Sequence, residues 1–254
     1  YFEGNATYNI ANFDWSYTSW ANATVAGVGI SALWCPSDGD IANGQPLDAT
    51  YAMPAGTVLR QHFSSYGGVQ GIWGLAIRTT NTYYTQRRAN VNGMIYPHSC
   101  IRISEITDGT SNTLLFGEKS HGRMLTEAAY YHWMNSGYYA DTMIEAFFPP
   151  NGQIKYKTMY NPTTATSAQE ETWAMVAGSN HSGGTNFAFA DGSVRFLKDS
   201  IDSQPIDASW NAPGLTYNCD GTTTYCVTPA TVRYGVFQKL ATRAGGEIIS
   251  SDQY

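Results

Sequence analysis

The chain has 254 residues, enough for one large domain or two small ones with a core that needs no covalent staple. Only 13% of its residues are Asp, Glu, Lys or Arg while 14% are aromatic, which excludes a disordered chain. A formal charge of -6 without any lysine- or arginine-rich run leaves no footprint for a phosphate backbone, so nucleic acid is excluded as a partner.

In chain order, the start carries no Met, basic stretch or apolar segment, and an export signal or anchor is expected to lie outside it. The apolar stretch Ala23 to Trp34 is cut by Thr24, Ser31 and two glycines. It falls short of the roughly 18 residues of a spanning helix, so no membrane contact is expected. Sequons stand at Asn5, Asn22 and Asn180 and, in a chain this rich in Asn and Thr, decide nothing alone.

Asp38-Gly39-Asp40-Ile41-Ala42-Asn43-Gly44 begins like a calcium-binding loop, with hard oxygen ligands at alternate positions. It then runs out of register, with Ala49 where a closing Glu would stand. A turn cluster is the simpler reading, and a calcium ion on Asp38 and Asp40 is the alternative. No other cofactor is expected.

Four cysteines, 35, 100, 219 and 226, form no CxxC pair, which removes most support for a metal knuckle or haem attachment. Cys219 and Cys226 bracket a turn-rich segment that a local disulfide can close, leaving Cys35 to pair with Cys100. Four buried free thiols are the alternative.

Catalytic signatures are absent. Gly109-Thr110-Ser111-Asn112-Thr113 is not a nucleophile elbow, because it ends in Thr; there is no HExxH and no GKS or GKT. Asp108-Gly109 reads as a turn. A weak helix is expected over Leu125 to Met134, and Asn151 to Glu171 reads as a long excursion loop.

His181 precedes Ser182-Gly183-Gly184 and stands ten positions before Asp191. Catalysis there would need a nucleophile that the sequence does not supply, so a structural hydrogen-bonding role at the start of a hairpin is expected. His62, His98, His121 and His132 show no ligand spacing.

Thr185 to Leu197 reads as that hairpin, with Asp191-Gly192 as a two-residue type I′ loop. Folding about it pairs Phe189 with Val194 and Phe187 with Phe196, placing the apolar pairs on one face. Val236 to Ala244 follows as a helix with Val236, Phe237, Leu240, Ala241 and Ala244 on one side, ahead of a Gly245-Gly246 stop. A strand over Glu247 to Ser250 closes the chain. The expected class is β-rich α+β, as one domain over 1–254.

Four segments in order carry a family resemblance. They are Cys35-Pro36-Ser37-Asp38, Ser64-Ser65-Tyr66-Gly67, the run from Ile103 through Asp108, Gly109 and Thr113 to Lys119, and His181 to Gly192. With the closing segment Gly235 to Glu247, the chain from about Leu33 onward resembles the DUF1559 family of planctomycete-type bacteria. The resemblance implies a pilin-like or pseudopilin-like globular domain built on an antiparallel sheet. It also implies a cleaved leader and a long apolar N-terminal helix, neither of which is in this sequence.

The resemblance carries over no catalytic residue. His181, Asp191 and Gly192 come over as signature positions with a structural role. Calcium in some pseudopilins lends the Asp38 and Asp40 loop its only outside support. The expected function is an exported, self-associating subunit of an extracellular filament or surface assembly. A secreted glycan-binding module is the alternative, since exposed Trp and Tyr stack on sugars, and a hydrolase using His181 and Asp191 comes third.

Overall fold

The computed structural model describes residues 5–15, 19–46, 60–74, 79–80, 84–123, 139–217, 225–227, 231–246 and 249–254. Its helices are short: α1 (Asn5–Ile10), α2 (Ala23–Ala26), α3 (Tyr84–Asn90), α4 (Tyr139–Thr142), α5 (Gly152–Lys155), α6 (Ser167–Ala174) and α7 (Val236–Leu240). Two small ribbons pair β1 (Gln45–Pro46) with β2 (Arg60–Gln61) and β8 (Leu215–Tyr217) with β9 (Tyr225–Val227).

The centre is a five-stranded sheet of β3 (Tyr66–Gly71), β4 (Leu114–Glu118), β5 (Met143–Glu145), β6 (Gly184–Phe189) and β7 (Val194–Lys198), in the order β5-β3-β4-β6-β7. Only the β3–β5 pair is parallel. The β-rich α+β class holds, with an antiparallel sheet carrying one parallel edge strand.

One face of this sheet is a core. Val69, Leu114, Ile144, Phe187, Phe189 and Leu197 pack beneath Val236, Phe237, Leu240 and Ala241 of α7 and its C-terminal cap. The 3.6-residue spacing selects that helix face as expected, but the helix stops at Leu240 and Ala244 is exposed. A second core collects aromatics around Phe148. Its ring meets Phe147, Trp173 and Trp210 edge-on at 5.3, 5.4 and 5.2 Å, and Tyr160 stacks on Trp173 at 5.2 Å. Edge-to-face geometry sets the negative face of one ring against the positive rim of another, which accounts for part of the aromatic content. Between the cores, Gln238 donates to Ala146 O and accepts from Gln204 N, so buried backbone groups there are satisfied.

The β6–β7 hairpin forms where expected, with a different loop. Gly192 N donates to Phe189 O and Phe189 N donates to Ser193 O, so Ala190, Asp191 and Gly192 make a three-residue loop. Gly192 sits at φ +86°, the left-handed position that closes a turn of this length. The extra loop residue moves β7 by one position: Phe187 faces Arg195, Ala188 faces Val194 and Asn186 faces Phe196. With a period of two, that step turns Val194 and Phe196 away from the core and brings in Leu197.

The excursion over Asn151 to Glu171 contains α5 and the start of α6, the latter capped by Thr166, whose hydroxyl accepts from Gln169 N. Leu125 to Met134 lies outside the described residues. Of the expected last strand, Glu247 and Ile248 also lie outside them, and Ile249 and Ser250 are not in a strand but lead into a turn at Ser251–Gln253. Among the described residues no helix is long and apolar enough to cross a membrane.

Candidate functional site

Loops from four distant parts of the chain meet at the end of β4. Cys35 and Asp38 come from the first; Ser65 from the turn into β3; Glu118, Lys119, Ser120 and His121 from the end of β4; and Ser179, Asn180 and His181 from the approach to β6.

Asp38 is the knot that ties them. Its buried carboxylate accepts from Ser65 Oγ at 3.1 Å, Ser120 Oγ at 3.0 Å and the His121 N–H at 2.8 Å. Ser65 Oγ in turn accepts from Cys35 N, and Asn180 Nδ2 reaches both Ser37 O and Ser120 Oγ. At the loop read as a calcium site, the Asp38 oxygens receive the protein's own donors, which an ion would have to displace. Nothing is described of the Asp40 side chain.

Beside the knot, three side chains converge. His181 Nε2 lies 3.1 Å from Glu118 Oε1 and 3.7 Å from Cys35 Sγ, and that sulfur is 3.5 Å from the same carboxylate oxygen. Glu118 is fixed from behind, since its Oε2 accepts from both the backbone N–H and the side-chain amide of Asn186. Ser37 Oγ lies 3.0 Å from Cys35 Sγ, and Ser179 Oγ accepts from His181 N. Cys35 and Glu118 are buried while His181 keeps 37% of its side chain exposed, so the cluster meets solvent at its histidine edge.

Nearby Tyr66 has its hydroxyl pKa raised, first by burial and then by Cys35, Glu118 and Asp38. Lys119 is buried and donates to the carbonyls of Ala140 and Asp141; burial pushes its pKa down to about 7, opposed by the Asp141 charge. The adjoining crevice, lined by Cys35, Asp38, Ser65, Glu118, Ser120 and Asn180 among others, is too tight for a water molecule.

Residues 1–204 match the model of a family described as a protein of unknown function, DUF1559. The chain belongs to the DUF1559 family. No curated protein and no solved structure matches it. In this DUF1559 protein all four segments that carried the resemblance meet at this site, supplying Cys35 and Asp38, Ser65, Glu118, and His181.

The signature positions separate into two places. His181 stands before β6 and Asp191 after it, at opposite ends of a six-residue strand about 17 Å long, so they share no site. Asp191 is exposed, with its carboxyl pKa lowered by hydrogen bonds from Ser193 and then by Arg195. Asp108 braces the C-terminal segment: its carboxylate accepts from Thr242 Oγ1, Gly245 N and Gly246 N. Gly109 turns at φ +93° to start the next short turn.

The expected Cys35–Cys100 bridge is not formed. Cys35 is buried with its sulfur turned toward Glu118 and His181, and Cys100 is exposed and free. Cys219 lies outside the described residues and Cys226 is described only as backbone in β9.

The amides of Asn22 and Asn180, two of the sequon positions, are committed to hydrogen bonds within the fold. Sequence reasoning missed Glu118 as a partner of His181. Its signal was a carboxylate at the end of the apolar strand Leu114-Leu115-Phe116-Gly117 in a chain poor in charge.

Proposed function

We propose that the protein is an exported structural subunit that self-associates into an extracellular filament or surface assembly, using the open face of its central sheet. The observation that carries this reading is the apolar row on that face. Phe116, Ala188 and Val194 lie side by side across β4, β6 and β7, with Phe196 next to Val194's row, and Phe116, Val194 and Phe196 are 44, 67 and 44% exposed. Large apolar side chains gathered on one exposed sheet face are the usual mark of a protein contact. Low charge supports it, because interface cores exclude charged side chains, and the pilin-like resemblance agrees.

Sedimentation velocity over a range of concentrations tests the reading. The full chain is expected to associate, and Val194→Lys with Phe196→Glu is expected to weaken association by on the order of 10-fold or more. A chain that remains monomeric throughout, or association indifferent to the double substitution, overturns it. A glycan-binding reading draws on Tyr8, Phe13, Trp15 and Trp20, all strongly exposed within one short stretch. Retention on polysaccharide columns that Trp15→Ala and Trp20→Ala abolish would favour it.

A further inference from the structure

We propose that Cys35, Glu118 and His181 form a binding site for a zinc-class divalent cation, with solvent completing the coordination. The three atoms Sγ, Oε1 and Nε2 all lie within 4.8 Å of one another. A tetrahedral zinc ion with ordinary bond lengths needs about 3.6 Å between sulfur and either lighter ligand and about 3.4 Å between nitrogen and oxygen. The observed separations are 3.7, 3.5 and 3.1 Å. A point about 2.0 Å from all three exists in their plane, and a small displacement out of it brings the ion to bonding distance of the larger sulfur as well.

The ligand chemistry selects the ion. Thiolate, imidazole and carboxylate together suit zinc and disfavour magnesium or calcium, which require oxygen shells. The supporting contacts agree: the two Asn186 donors hold Glu118 Oε2, leaving Oε1 for the ion, and Ser37 Oγ is placed to donate to a thiolate at Cys35. Three protein ligands with an exposed histidine edge leave a coordination position that water can reach.

A cysteine–histidine nucleophile pair is the competing chemistry. In such a pair the carboxylate orients the imidazole through the nitrogen that the nucleophile does not use. Here sulfur and carboxylate face the same Nε2. That convergence is the pattern of ligands around a shared centre.

The test uses the full chain, stripped with chelator and titrated with zinc and with cobalt. One zinc per chain is expected, together with a thiolate-to-cobalt charge-transfer band that Cys35→Ser abolishes and Cys100→Ser leaves intact. His181→Gln and Glu118→Gln should each weaken binding by on the order of 100-fold. Because Cys35 is buried, its substitution can also disturb folding, so peptide mapping of the unaltered chain gives a second readout. Zinc should slow alkylation of Cys35 by about 10-fold or more while Cys100 continues to react freely. No stoichiometric zinc, a cobalt band that survives Cys35→Ser, or Cys35 alkylation indifferent to zinc overturns the site and shows a hydrogen-bonded cluster only.

Discussion

Replacing Asp38 by Ala removes the one acceptor shared by Ser65 Oγ, Ser120 Oγ and His121 N. The two hydroxyls can turn to other acceptors, but the backbone N–H of His121 is fixed. A buried donor left without an acceptor costs about 1 to 3 kcal/mol, and each redirected hydroxyl loses a charge-assisted bond. The expected destabilisation is therefore about 3 to 5 kcal/mol, a large share of the stability of an ordinary domain. Asp38→Asn keeps the volume and one oxygen; with that oxygen serving Ser65 and His121, only the bond from Ser120 is lost and the others weaken. Its cost should be about 1 to 2 kcal/mol. Urea unfolding followed by tryptophan fluorescence measures both, and the order Ala worse than Asn is the critical result. Equal losses, or a loss below about 1 kcal/mol for Ala, would show that the carboxylate does not join these loops. Adding calcium to metal-free wild type should leave the midpoint unchanged on this account.

Gly192→Ala should cost about 1 kcal/mol in the same assay, since a side chain there meets no atom within 4 Å and pays only for the positive φ; an unchanged midpoint refutes the turn assignment. Glu145 gives a pH signature: burial raises its carboxyl pKa from 4.5 to about 8, so the folded chain keeps a proton that the unfolded chain releases. Stability should fall as pH rises from about 5 to 7, by at most about 1.4 kcal/mol per pH unit, and Glu145→Gln should remove that part of the slope. Lys119, whose pKa is lowered to about 7, acts in the opposite direction only above that pH. Parallel wild-type and variant curves between pH 5 and 7 would contradict the assignment.

The hairpin shows how far the sequence reaches. Asp191-Gly192 marks the turn and the left-handed glycine, because only glycine adopts that φ without strain. Two- and three-residue loops both satisfy that dipeptide, and the choice between them decides which face of β7 is buried. The face of α7 was legible because apolar spacing of 3.6 has a single solution; its end was not, since the Gly245-Gly246 stop allows a longer helix than forms. At the site, His181 was noticeable but its role was not. Glu118 and Cys35 are 63 and 146 residues away, and no local pattern encodes which distant side chains a histidine meets. Pairing Cys35 with Cys100 as the remaining two overlooked that a buried thiol can have polar neighbours in place of a second sulfur.

The 146-residue span between Cys35 and His181 also bears on the order in which the chain finds its shape. Closing so long a loop in an otherwise open chain costs about 3 kcal/mol more entropy than closing the β6–β7 turn. Nearby strands should therefore zip first and shorten the path, with the Cys35 segment arriving late. Until it does, its thiol stands in solvent. Under oxidising conditions, refolding would therefore become a race between docking of that loop and capture of its sulfur by a wrong partner.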